Sequence, residues 1–205
     1  MIIEVCAESY EYAVKAEKAG ADRIELCKDL HLDGLTPDYE TAKRTIDKLN
    51  IPVFILIRPR EGDFIYSKEE FELMKSDIVK FKEMGCKGIV SGILNNDNTI
   101  DIKRTKELVE LSRPLEFTFH RAFDKVKNPL NEIENLIELG IDRVLTSGQK
   151  DKAIEGLELL KEFKNISKNK IKIMPGSGIN KSNIVNFKSF DEIHGSFKKE
   201  TNLKL

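Results

Sequence analysis

Cys6 and Cys27 close two short runs of alternating apolar residues, Ile2 to Ala7 and Arg23 to Cys27, and each is preceded two places earlier by an acid, Glu4 or Glu25. Side chains along an extended strand point alternately to opposite faces, so each cysteine shares a face with its acid while Ile3, Val5, Ile24 and Leu26 take the other. Glu192, His194 and Ser196 alternate in the same way around Ile193. Parallel neighbours lie about 4.8 Å apart, close enough for two sulfurs to reach one ion, and His194 offers an imidazole as third ligand. Thiolates and imidazole select a soft metal. The competing reading is packing, because buried cysteine behaves as a small hydrophobe and no Cys-x-x-Cys strengthens the signal. Cys86 precedes a different strand and should lie toward the opposite rim.

A second constellation is cationic. Arg58 and Arg60 leave the run Pro52 to Ile57 beside Asp63, and His120, Arg121 and Asp124 leave the run Leu115 to His120. There His120 would be a general acid or base with Glu25 as a carboxylate partner across the interior, Asp124 would join the catalytic set, and Arg58 would bind an anionic group. Pro175-Gly176-Ser177-Gly178, running into a helix expected near Asn180, and Gly195-Ser196 could cradle an anion on bare backbone amides, with Gly148 allowing a close approach and Arg60 adding charge. Against this stands a buried ion-pair network, Arg58 or Arg121 against Glu25, Glu116 or Asp124, that merely balances charge. Glycines at such turns also serve positive φ alone. His31 reads as an exposed loop residue.

The elements that position these groups are legible along the whole chain. Eight β-branched runs alternate with amphipathic stretches: Ile2 to Ala7, Arg23 to Cys27, Pro52 to Ile57, Gly88 to Leu94, Leu115 to His120, Arg143 to Ser147, Ile171 to Met174 and Glu192 to Phe197. Repeated β-α units build a parallel sheet, and eight of them close into a TIM-like (β/α)8 barrel, expected as one domain over residues 1–205. Thr36-Pro37, Asn128-Pro129 and the capping box Ser67 to Glu70 read as helix starts, and Gly20, Gly85 and Gly140 as helix ends. Gly20-Ala21-Asp22-Arg23-Ile24 is echoed by Gly140-Ile141-Asp142-Arg143-Val144, in equivalent positions of the second and sixth units. Only Lys198 to Leu205 follow the last strand, so the eighth helix should be short or missing. Apolar surface left bare there would call for a neighbouring copy, hence a homo-oligomer.

Composition narrows the classes of partner. The 205 residues hold 34 Lys plus Arg against 35 Asp plus Glu, a net charge of -1, with no basic face for nucleic acid or anionic lipid. No run approaches the roughly 20 apolar residues of a membrane span, and no secretory leader opens the chain. Three cysteines without disulfide spacing point to a reducing, cytoplasmic setting.

Several stretches carry a specific resemblance: Arg58 to Ser67 (RPREGDFIYS), Thr118 to Asp124 (TFHRAFD), Leu145 to Gln149 (LTSGQ), Gly20 to Cys27, Gly34-Leu35-Thr36-Pro37 and His194-Gly195-Ser196. In this order, from first strand to last, the chain resembles the CutC copper homeostasis protein family. That resemblance implies a cytoplasmic TIM-like barrel associated with copper tolerance and reported to bind copper, with dimers or larger assemblies common, and it implies no established reaction. Asp33 and Ser177 depart from the family pattern where glycine is usual, and the family often continues beyond the eighth strand. Three readings follow: a protein holding Cu(I) on Cys6, Cys27 and His194, an enzyme acting on a small anionic substrate at the rim, and, ranked last, a non-catalytic scaffold.

Overall fold

The computed structural model describes residues 1–198, 202 and 203. Eight strands appear in the expected order: β1 (Ile2–Ala7), β2 (Arg23–Leu26), β3 (Val53–Leu56), β4 (Gly88–Ser91), β5 (Glu116–Phe119), β6 (Arg143–Thr146), β7 (Lys172–Pro175) and β8 (Glu192–Gly195). All ladders are parallel, in the order β7-β6-β5-β4-β3-β2-β1-β8, and β7 lies beside β8 so that the sheet curls into a nearly closed barrel. Among the described residues six α-helices wrap it: α1 (Tyr10–Ala19), α2 (Tyr39–Lys48), α3 (Lys68–Glu83), α4 (Ile102–Ser112), α5 (Pro129–Glu138) and α6 (Leu157–Ser167). None is long and apolar enough to cross a membrane, among the described residues.

The alternation read from the sequence divides the core in two. Ile3, Val5, Ile24, Leu26, Ile55, Ile89, Phe117, Phe119, Val144, Ile173 and Ile193 face the helices and join one large buried cluster. Cys6, Cys27, Phe54, Leu56 and Val90 form a separate, smaller cluster in the lumen. Phe54 lies against Gly88, its register partner on the adjacent strand β4, where an added Cβ would come within 2.4 Å of its ring. The ring fits there only because the neighbouring strand contributes no side chain at that position.

Local chemistry sets most helix limits as expected. The Ser67 hydroxyl accepts from Glu70 N–H while the Glu70 carboxylate accepts from Ser67 N–H, so both orphan donors of the capping box are satisfied. Gly20 ends α1 at φ +100°, a left-handed conformation that glycine adopts without a Cβ clash. Thr36-Pro37 is a correction: α2 starts later, with Asp38 as N-cap, because the Thr36 hydroxyl accepts instead from Arg58 N–H and ties the loop to the end of β3. Asn128 does precede α5, with Pro129 in its first turn, but its side chain makes no capping bond.

A second correction concerns the unit after β7. No α-helix begins near Asn180; the segment runs as turns to a short 3-10 piece at Ile184–Phe187. Asn180 Oδ1 accepts from Ser182 N–H, and Asn183 Oδ1 accepts from Asn180 N–H. These side chains take up the backbone donors that would open a helix. The expected short or missing eighth helix falls partly on residues 199–201, 204 and 205, which lie outside the described residues. Among the described residues, Ile3, Val5 and Ile193 on the outer face of β1 and β8 are buried, and so are Phe187, Phe190 and Leu203. Leu203 N–H also donates to Ala19 O.

Candidate metal centre

The floor of the lumen is a charge network. Glu4 stands in register between Arg23 of β2 and His194 of β8. Arg23 binds Glu4 and Glu192, and Arg143 binds Glu192 and Glu116, with Lys172 against Glu192 at 3.1 Å. Both guanidiniums also lie over the Phe54 ring, at 4.7 and 5.0 Å. The buried Arg23 and Arg143 balance the buried Glu4 and Glu192, which is how charge is tolerated in an interior, while Glu116 and Lys172 close the network at its half-exposed edge. Burial would raise the Glu4 carboxyl, but Arg23 and the hydrogen bond from His194 outweigh it and hold it down at about 2.

The two pentapeptides that echo each other supply this floor symmetrically. Arg23 and Arg143 are the corresponding arginines. Asp22 and Asp142 each accept a hydrogen bond from the backbone of the preceding strand, Ile3 N–H at 2.8 Å and Phe117 N–H at 2.7 Å. The sequence reading missed this role of the arginines, although both the echo and their inward parity were visible.

Above the floor sits the cluster with ligand chemistry. Cys6 Sγ is 3.4 Å from Cys27 Sγ and 3.6 Å from Glu25 Oε1. One ligand atom from each of Cys6, Glu25 and His194 lies within 4.8 Å of the others. All four side chains are buried. The hydrogen bond with Cys27 and then burial push the Cys6 thiol well above its ordinary range, so Cys6 rests protonated until something displaces the proton. Burial pushes the Glu25 carboxyl up to about 7. Burial also works against charge on His194, but the facing Glu25 and Glu4 outweigh it and leave the imidazole above its usual value. His194 Nδ1 is 2.8 Å from Glu4 Oε1. A carboxylate so placed accepts from Nδ1–H and leaves Nε2 as the free donor atom for a metal. Cys86, as expected, is elsewhere, buried among the helix-facing side chains.

The rim residues are brought together differently from the enzyme reading. Arg58 donates to three backbone carbonyls, Leu32 O, Gly34 O and Gly62 O, and so staples the loops after β2 and β3. Arg60 pairs with Asp63 and Glu70 beside α3. Asp124 accepts from Thr146, Ser147, Gln149 and Arg121, which locks the loop after β6. The expected pairing of Glu25 with His120 is corrected, because Glu25 bonds Cys6 and faces His194 instead. His120 Nδ1 accepts from Ala122 N–H, and burial followed by the nearby Arg58 charge drives its pKa down to about 3. It is therefore neutral throughout the physiological range, where a general base needs a pKa near the working pH.

The glycines of the anion reading have structural work of their own. Gly176 N–H donates to Thr146 O, and its missing side chain makes room for Leu145 and His194. Gly178 O accepts from Asn180 and Asn183. Gly148, at φ +70°, lets the chain cross Gly156, where a Cβ would meet Gly156 O at 2.4 Å. Gly195 ends β8, and Ser196, expected in the lumen, is exposed, with its carbonyl bonded to Tyr12. Asp33 and Ser177 both adopt left-handed backbone, φ +63° and +80°, so these loops keep glycine-like geometry without glycine.

A parallel barrel with a charged floor and a thiol, carboxyl and imidazole cluster above it places the molecule among TIM-like (β/α)8 proteins. Its fold resembles an aldolase (TM-score 0.72, 15% identity, 98% of this chain and 91% of the other). A crystal structure named for CutC from Streptococcus agalactiae superposes far better, with TM-score 0.90 and 30% identity over 96% of this chain and 98% of that one. The sequence model of the CutC family matches residues 1–199. A CutC family protein of Pasteurella multocida is 44% identical over 97% of this chain and 82% of its own length. The copper homeostasis protein cutC homolog of Homo sapiens is 47% identical over 89% and 67%. The chain belongs to the CutC family.

Proposed function

We propose that this protein handles copper by taking one Cu(I) ion between Cys6 and Cys27, with His194 as third ligand. The observation that carries the reading is the 3.4 Å separation of the two sulfurs inside a buried polar cluster. Metal to thiolate bonds of about 2.3 Å on a three-coordinate ion set the sulfurs ~4 Å apart, so they need to part by only about half an ångström. A soft ion prefers these thiolates and the imidazole to the oxygen donors elsewhere in the barrel. Loading displaces the thiol protons, and Glu4 holds His194 in the tautomer that presents Nε2. Three free thiols suit the reducing cytoplasm as the place of work.

Anaerobic titration of the reduced protein with Cu(I) against a competing chromophoric chelator tests this. Tight binding of one ion per chain, abolished by Cys6→Ser and by Cys27→Ser and weakened by His194→Gln, is expected. Weak binding indifferent to all three substitutions would overturn it.

A further inference from the structure

Among the buried polar groups of the described residues that lack a hydrogen-bond partner, Glu25 is the one acid, and it takes no part in the ion pairs of the floor that join Arg23 and Arg143 to Glu4 and Glu192. Glu25 is only 4% exposed, and its Oε2 has no hydrogen-bond partner. That oxygen lies 4.0 Å from His194 Nδ1, while Oε1 faces the Cys6 thiol at 3.6 Å. Burying a carboxyl group without satisfying it is costly, and neither packing nor the charge balance of the floor accounts for it. A Cu(I) ion has no use for it, since soft ions choose sulfur and imidazole over carboxylate oxygen.

Two thiolates, one imidazole and one carboxylate together are the donors of a four-coordinate, borderline divalent ion of the zinc type. At bond lengths of about 2.3 Å to sulfur and ~2.1 Å to oxygen, tetrahedral corners lie ~3.8 Å apart for two sulfurs and ~3.6 Å for sulfur and oxygen. The protein sets two of these edges, Cys6 to Cys27 and Cys6 to Glu25, at 3.4 and 3.6 Å, and holds a ligand atom of His194 within 4.8 Å of those of Cys6 and Glu25. Glu4 supplies the outer carboxylate that orients a ligating histidine, at 2.8 Å from His194 Nδ1.

We infer that the lumenal site also takes a divalent ion of the zinc type on Cys6, Cys27, Glu25 and His194, and that Glu25 is the ligand that distinguishes this ion from Cu(I). The inference shares three side chains with the copper reading and adds the fourth, so the two fail separately. Cobalt(II) is the spectroscopic probe. Added to reduced, metal-free full-length protein under argon, it is expected to give one equivalent of an intense four-coordinate visible spectrum with thiolate charge-transfer bands, bleached by stoichiometric Zn(II).

Glu25→Gln keeps the shape and removes the anionic oxygen. It is expected to lower Zn(II) affinity by roughly tenfold or more and to leave Cu(I) affinity within a small factor of wild type, while Cys27→Ser loses both ions. Retained Cu(I) binding also reports that the Glu25→Gln barrel is folded. Wild-type protein that binds no Co(II) stoichiometrically, or binds it with a six-coordinate spectrum lacking thiolate bands, overturns the inference without recourse to any variant. Unchanged Zn(II) affinity in a folded Glu25→Gln protein overturns it as well. Divalent binding in a protein that refuses Cu(I) would sink the copper reading and leave this one standing.

Discussion

Replacing Arg23 with methionine tests the floor of the barrel most directly. Arg23 is the shared partner of Glu4 and Glu192, both fully buried, and methionine keeps an unbranched apolar stem without the charge. Removing one partner of a buried ion pair leaves an uncompensated charge, at a cost of about 3–5 kcal/mol. The Glu4 carboxyl sets an upper limit of similar size, because Arg23 shares the lowering of its pKa with His194 and Arg143. Its pKa in the fold is about 2, against an ordinary 4.5, and that lowering corresponds to about 3 kcal/mol.

The sign of the pH dependence follows from the lowered value. The Glu4 contribution is fully present above pH 4.5 and disappears as pH falls toward about 2. The variant should therefore be much less stable than wild type at pH 7, and the gap should narrow on acidification toward pH 3. For a chain of this length each kcal/mol moves Tm by about 2–4 °C, so a drop of about 6–20 °C is expected at neutral pH. Thermal unfolding followed by far-ultraviolet circular dichroism at pH 7, 5 and 3.5 measures both. A loss under about 1 kcal/mol at pH 7, or a gap that does not change with pH, would refute the claim that Arg23 holds buried carboxylates in the charged form.

The other expectations are simpler. His120 should show no titration between pH 5 and 9 in proton NMR of its ring; because its folded pKa is depressed to about 3, it supplies stability above pH 6.5 that is lost as pH falls toward 3, and a midpoint near 6.5 would contradict its burial. Gly148→Ala should cost about 1–3 kcal/mol from backbone strain alone, and more from the clash with Gly156 O, seen as a lower Tm; an unchanged Tm would mean the two loops do not cross as closely as described. Ser67→Ala should remove about 1 kcal/mol through the capping box of α3 without touching Cu(I) affinity, and a coupled loss of metal binding would show that α3 and the lumen communicate.

How far these residues could be read in the linear chain depends on the range of the physics involved. Strand parity is local: one apolar face must meet the helices, so Glu4, Cys6, Glu25, Cys27, Glu192 and His194 were assignable to the lumen from their immediate neighbours. Capping at Ser67 and the turns at Gly20, Gly85 and Gly140 are local too, since each needs only a few consecutive residues to satisfy or relieve the backbone. The sequence alone therefore determined the barrel, its strand order and which side of it carries the polar groups.

Which polar groups meet was decided by the closed sheet. Register sets Glu4 between Arg23 and His194 and pairs Cys6 with Glu25, and the contact of Glu4 with His194 joins residues 190 positions apart. The rim partners were hidden for the same reason: Arg58 has the chemistry of an anion clamp, and only the folded loops bring the carbonyls of Leu32, Gly34 and Gly62 to its two terminal nitrogens. A side chain's chemical type is written in the sequence, whereas its partners depend on long-range register and loop closure. Those exist only once the eight strands have wrapped around the lumen.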